Sequence, residues 1–136
     1  MKVKGILVDV YNNKINPIEL DYKSIDDLYK ILRCNVISTL YLEFNGVESY
    51  CIFDDVGKYK SGDSFVPSAL LINKNSGKVI DYIVGNLFIC SVGRDKICSL
   101  DDFQIMNILA TKTKCSFFNF HKDFNVLVSL GDYIEF

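Results

Sequence analysis

The sequence predicts an α+β domain: a mostly antiparallel sheet with a central Asn-Gly hairpin and two helices packed on it. Three observations lead there. Val36–Phe44 and Val47–Phe53 are strand-like runs separated only by Asn45-Gly46, a dipeptide that tolerates the positive φ angles of a type I′ turn. Ser24-Ile25-Asp26-Asp27 and Ser99-Leu100-Asp101-Asp102 each have the capping and acidic residues of a helix start. Short β-branched runs such as Val3–Val10, closed by the turn signal Asn12-Asn13, supply further strands.

Each element follows in order. Val3–Val10 is the first strand, and Ile15–Leu20 returns as a second, which Pro17 confines to an edge or a strand end. Ser24 caps the first helix, and Asp26 and Asp27 complement the positive end of its dipole. Ile25, Leu28, Tyr29 and Leu32 then recur at helical spacing as one apolar stripe. Lys30 and Arg33 suit its C-terminal end, and Asn35 is placed to close it. In the hairpin, Val36, Ser38, Leu40, Leu42 and Phe44 share one face, while Ile37, Thr39, Tyr41 and Glu43 share the other. Apolar groups on both faces predict a hairpin covered at least partly on both sides.

Residues 54–64 are polar and contain glycine, as in a surface loop. Pro67–Asn73 is apolar but short, leaving strand and helix both open, and Asn75-Ser76-Gly77 turns. Ile80–Cys90 is a strongly apolar run with Gly85 in its middle, which predicts a strand with a bulge or a close backbone approach. Val92–Lys96 is a small charged turn. Ser99 caps a second helix over about 100–111, with Asp102 where a capping box prefers Glu. Cys115–Phe120 and Asn125–Leu130 close the chain as strands. Residues 1–136 form one domain, with neither repeat nor linker.

Composition bounds the function. The 136 residues carry 15 basic and 17 acidic side chains, a net charge of -2, and 49% are apolar. A chain of this size and hydropathy builds its own core and is not of the disordered class. Its balance lacks the basic stripe of a non-specific nucleic-acid binder. Neither a secretory leader nor a membrane span is expected. Five cysteines (Cys34, Cys51, Cys90, Cys98, Cys115) form no C-x-x-C pair and mostly have apolar neighbours. They fit small buried hydrophobes in a reducing cytosol, and scattered spacing with a single histidine disfavours zinc.

No catalytic constellation emerges. His121 has only Asp123 as a local carboxylate, which suits a turn histidine better than a general base. Asp54, Asp55 and Asp63 share a loop, but Lys58 and Lys60 interrupt it and no closing Glu follows. Cys98, near a helix start, would be a reactive thiol only with a base beside it. The glycines match no phosphate-binding motif, and no cofactor is expected. The tyrosines are spread over several elements, where packing accounts for most of them. Tyr59, between Lys58 and Lys60, is the one expected outside, and with Arg94 these make the candidate interaction residues.

Asp81-Tyr82-Ile83-Val84-Gly85-Asn86-Leu87-Phe88-Ile89-Cys90, followed by Ser99-Leu100-Asp101-Asp102, resembles an uncharacterised domain family. That family occurs in accessory proteins of phages, plasmids and integrated elements of low-GC Gram-positive bacteria. Asp54-Asp55-Val56-Gly57-Lys58 matches its loop, and Leu28–Ile37 its helix-to-strand passage, with Cys34-Asn35 where Gly-Gly is frequent. The likeness covers about 1–108, and the strands of 109–136 are additional. The resemblance implies a small mobile-element protein that binds a host protein, for example to inhibit a CRISPR or restriction defence. It supplies no catalytic residue. The alternative is a small enzyme or small-molecule-binding domain using Asp54, Asp55, His121 or Cys98. A nucleic-acid binder would require Lys58, Lys60, Lys74 and Lys78 to form one patch.

Overall fold

The computed structural model describes the chain except residues 13, 45–46, 60–66, 74–78, 95, 111–116, 121–123 and 129–136. At 42–44, 47, 58, 67, 69–73, 79–81, 117–120 and 124–128 it describes the backbone only. The strands are β1 (Lys2–Asp9), β2 (Lys14–Asp21), β3 (Ile37–Phe44), β4 (Val47–Asp54), β5 (Pro67–Asn73), β6 (Val79–Val84), β7 (Leu87–Gly93), β8 (Lys96–Cys98), β9 (Phe117–Phe120) and β10 (Phe124–Val128). The helices are α1 (Ile25–Leu32) and α2 (Asp102–Leu109).

All strand pairings described are antiparallel, in the order β2-β1-β7-β4-β3-β9-β10-β5-β6, with β8 beside β7. The α+β class is therefore as the patterning indicates. Pro17 sits on β2, at the sheet edge, where a missing N–H leaves no central ladder broken. β3 and β4 pair with Phe44 opposite Val47; the expected Asn45-Gly46 turn lies outside the described residues.

Strand alternation sends successive side chains into two separate cores. On one face Ile6, Val8, Cys51, Leu87 and Ile89 pack with Ile105 and Ile108 of α2. On the other, Val3, Ile52, Phe88 and Cys90 pack with Leu28 and Leu32 of α1. The two helices thus cover opposite faces of the sheet. Cys51 at 0% and Ile52 at 1% exposure show β4 buried on both sides, as the hairpin's two apolar faces foretell.

Local chemistry explains the helix ends. Ser24 Oγ accepts from the Asp26 N–H, and the Asp27 carboxylate accepts from the Lys23 and Ser24 N–H groups at 2.7 and 3.1 Å. Those donors, Lys23 first, hold the Asp27 pKa below the usual carboxylate range. At the other end Arg33, rather than Asn35, takes the left-handed conformation (φ 55°), with its N–H on the Lys30 carbonyl. Its guanidinium lies 4.7 Å from the Tyr11 ring centroid, a contact that offsets part of the strain. Ile25 sits at the end of the apolar stripe and is 43% exposed.

Three further expectations change. The Ile80–Cys90 run is two strands, not one. Gly85 adopts φ +90°, and the chain leaves β6, paired to β5, to enter β7 between β1 and β4. Asn86, 2% exposed, makes this crossing specific: its Oδ1 accepts from the Val10 N–H at 3.0 Å, and its Nδ2 donates to the Ile31 carbonyl at 2.9 Å. Second, α2 is capped by Asp101 in a box with Gln104, not by Ser99. Ser99 Oγ instead accepts from the Lys4 N–H at 2.9 Å, because the chain beside it is still docked on β1. Third, the 54–64 segment is not all surface. Asp54 and Gly57 are buried, since the 3₁₀ turn Gly57–Tyr59 packs against β6.

Candidate functional site

The α1 face of the sheet holds a groove of about 420 Å³. Its floor is Thr39 and Tyr41 of β3, Tyr50 and Ile52 of β4, and Val92 and Gly93 of β7. One wall is Ile25 and Leu28 of α1, with Tyr22 ahead of it, and Lys96 and Ile97 of β8 stand at the end. The register creates its central feature: Tyr41 lies directly opposite Tyr50, and the ring centroids are 5.1 Å apart at 57°. Tilted cross-strand rings of this kind stabilise a hairpin. Yet Tyr41 remains 65% exposed, because the α1-face core centres on β1, β4 and β7 and leaves Thr39 and Tyr41 of β3 open to solvent.

The opposite face has a second hollow, of about 460 Å³, between α2 and the β1–β2 pair. Lys4, Glu19 and Asp102 line it together with Ile105 and Met106. Phe103 and Met106 on α2 are 74% and 69% exposed.

The sequence-derived residues separate. Tyr59 is 86% exposed; Lys58 is placed by its backbone in the same 3₁₀ turn, and Lys60 lies outside the described residues. Arg94 is exposed in the β7–β8 turn, between Gly93 and Lys96, both of which line the groove. Phe53 pairs with Leu87, so the Tyr59 turn lies beyond the start of β7 and Arg94 beyond its end. Six strand residues place them about 20 Å apart. Arg94 and Tyr59 therefore stand apart, and neither is among the described residues that line the groove.

The proposed acid–base groups do not gather either. Asp54 lies opposite Ile37, beyond the start of β7, while Cys98 pairs with Ser91, four residues further along β7; Asp55 is exposed. His121, Asp63, Lys74 and Lys78 lie outside the described residues. Among the described residues no three metal-ligating side chains meet. Burial pushes the Cys51 thiol well above its ordinary pKa, with Cys90 adding to the effect. Cys90 is pushed up to about 12, chiefly by burial and secondly by Cys98. Both are poor nucleophiles at neutral pH.

Tyr22, Tyr41, Tyr50 and Lys96 are not among the site residues the sequence singles out, since packing accounts there for most of the tyrosines. A signal existed: in a two-residue hairpin closed at 45–46, positions 41 and 50 are equidistant from the loop and therefore face each other. That Tyr41 stays uncovered depends on where α1 lies.

Fold and site together define an α+β domain with an open, tyrosine-lined groove on one sheet face. The chain belongs to the family described as Domain of unknown function (DUF3846), whose model matches residues 1–113. β9 and β10 lie beyond the match. Neither a curated protein nor a solved structure matches it. Among the described residues no helix is long and apolar enough to cross a membrane.

Proposed function

We propose that this chain is a small non-enzymatic protein of a phage or other mobile element that acts by covering a surface of a host protein. A bacterial defence effector of the CRISPR or restriction type is the target class we favour. The observation that carries the binding reading is the shape of the tyrosine groove. It has a sheet floor and a helical wall, but Thr39 and Tyr41 are open to solvent on the β3 side. Small-molecule sites bury 70–90% or more of their ligand, and the exposed Thr39 and Tyr41 argue against such enclosure here. A protein partner closes the open side with its own surface, and tyrosines are enriched among the residues that dominate such contacts. The family resemblance supports the mobile-element setting by association only.

The test is a tagged pull-down from lysate of a low-GC Gram-positive host, with and without nuclease. One stoichiometric protein is expected, retained after nuclease and lost with Tyr41→Ala. Truncating a central interface tyrosine costs about 2 kcal/mol or more, roughly a 30-fold loss of affinity. Met106→Ala, on the opposite face, should leave capture intact. An empty pull-down, a partner released by nuclease, or equal capture by Tyr41→Ala would refute the proposal.

A further inference from the structure

β3 has an outer edge that the sheet leaves largely open. The Asp55 N–H donates to the Val36 carbonyl at 2.9 Å, and these two residues are the next pair after Ile37 and Asp54 in the β3–β4 register. Antiparallel bonding alternates, so Ser38 and Leu40 bond to β4, while Ile37, Thr39, Tyr41 and Glu43 direct N–H and C=O away from it. β9 takes up this outer edge only at Glu43, opposite Asn119. Among the described residues nothing bonds to the backbone of Ile37, Thr39 or Tyr41 on that side. The same three residues line the groove, so its open side and the open strand edge are one place.

The β2 edge is guarded by contrast. The Tyr22 N–H donates to the Met1 carbonyl at 2.8 Å, which by the same alternation turns Ile15, Pro17, Glu19 and Asp21 outward. Proline and charges at outward positions discourage strand addition. Ile37, Thr39 and Tyr41 include neither, and all three are β-branched or aromatic.

Resting on the protein-binding reading above, we infer that the partner adds an extended segment antiparallel to Ile37–Tyr41, as a further strand of the sheet. Its backbone lies about 4.8 Å from β3 and supplies donors and acceptors to Ile37, Thr39 and Tyr41. Its alternate side chains extend the groove floor beside those residues, where β-branched and aromatic groups pair best with Tyr41 and Ile37. Main-chain bonds then give affinity, and the alternate side chains give specificity. A helix uses its backbone groups internally and cannot satisfy this row.

The test uses the full-length protein. In hydrogen exchange without a partner, the Ile37, Thr39 and Tyr41 amides should exchange about tenfold or more faster than those of Ser38 and Leu40. Equal protection of all five means that the edge is already paired, and overturns the inference. The probe is acetyl-Ile-Ser-Val-Ser-Tyr-amide, titrated in ¹H–¹⁵N correlation spectra, and it should shift the Ile37, Thr39 and Tyr41 amides. N-methylation of its valine, whose N–H faces β3, should weaken binding about fivefold or more. N-methylation of both serines, whose N–H groups face away, should leave affinity unchanged. Equal affinity of the two methylated peptides, or no shifts, overturns the inference. In the pull-down, Thr39→Pro removes an outward N–H without breaking a β3–β4 bond and should abolish capture. A partner lost with Tyr41→Ala but kept by Thr39→Pro refutes strand addition and leaves the protein-binding reading standing; retention by Tyr41→Ala refutes both.

Discussion

Replacing Asn86 with alanine should be among the most damaging single changes in this chain. Asn86 is 2% exposed and joins three segments: its own crossing into β7, the end of β1 through Val10 N, and the end of α1 through the Ile31 carbonyl. Alanine leaves both backbone partners without this side chain. The Val10 N–H, orphaned in a buried place, costs about 1–3 kcal/mol; the Ile31 carbonyl is part-buried and adds about 1 kcal/mol or less, for about 2–4 kcal/mol together. That is a large share of the roughly 5–15 kcal/mol that holds a domain folded. Urea unfolding followed by far-ultraviolet circular dichroism reads the loss as a lower midpoint at unchanged slope. Asn86→Asp separates the two bonds. It retains an acceptor for Val10 N but turns a second oxygen toward the Ile31 carbonyl, so it should be destabilised at pH 7. It should recover partly in acid, where a protonated carboxyl donates again. If Asn86→Ala lies within about 1 kcal/mol of wild type, the amide does not hold the crossing.

Two further outcomes follow from packing and burial. Gly57→Ala should cost about 1–3 kcal/mol, because its Cβ would lie 2.5 Å from the Val84 carbonyl oxygen; equal midpoints for the two proteins in the same urea titration would contradict that contact. Cys51 and Cys90 should resist Ellman's reagent at pH 8 in the folded protein and react once it is unfolded, since both thiols are buried with raised pKa values. Their raised folded pKa leaves stability intact below pH 9 and lowers it as pH rises from about 9 toward 12, where the unfolded thiols ionise first. Rapid labelling of either in the native state, or a stability flat across that alkaline range, would refute the burial.

Much of the local structure is written in short stretches of chain. Ser24 and Asp27 cap α1 through contacts no more than four residues away, and the position of Pro17 on the edge strand follows from a missing donor. The pairing of Tyr41 with Tyr50 follows from the distance of each to one short loop. Periodicity also reports that β4 has two apolar faces, and so that it lies inside the sheet. Periodicity does not report what covers a face. Nothing local says that α1 and α2 take opposite sides, that Ser99 serves β1 while Asp101 caps the helix, or that Ile80–Cys90 breaks in two. Those outcomes rest on bonds between distant residues, such as the Asn86 pair spanning 76 and 55 positions. The groove is of the same kind. Its tyrosines are set by alternation, but they remain exposed because α1 packs over β1, β4 and β7 and leaves β3 open, which only the tertiary arrangement decides.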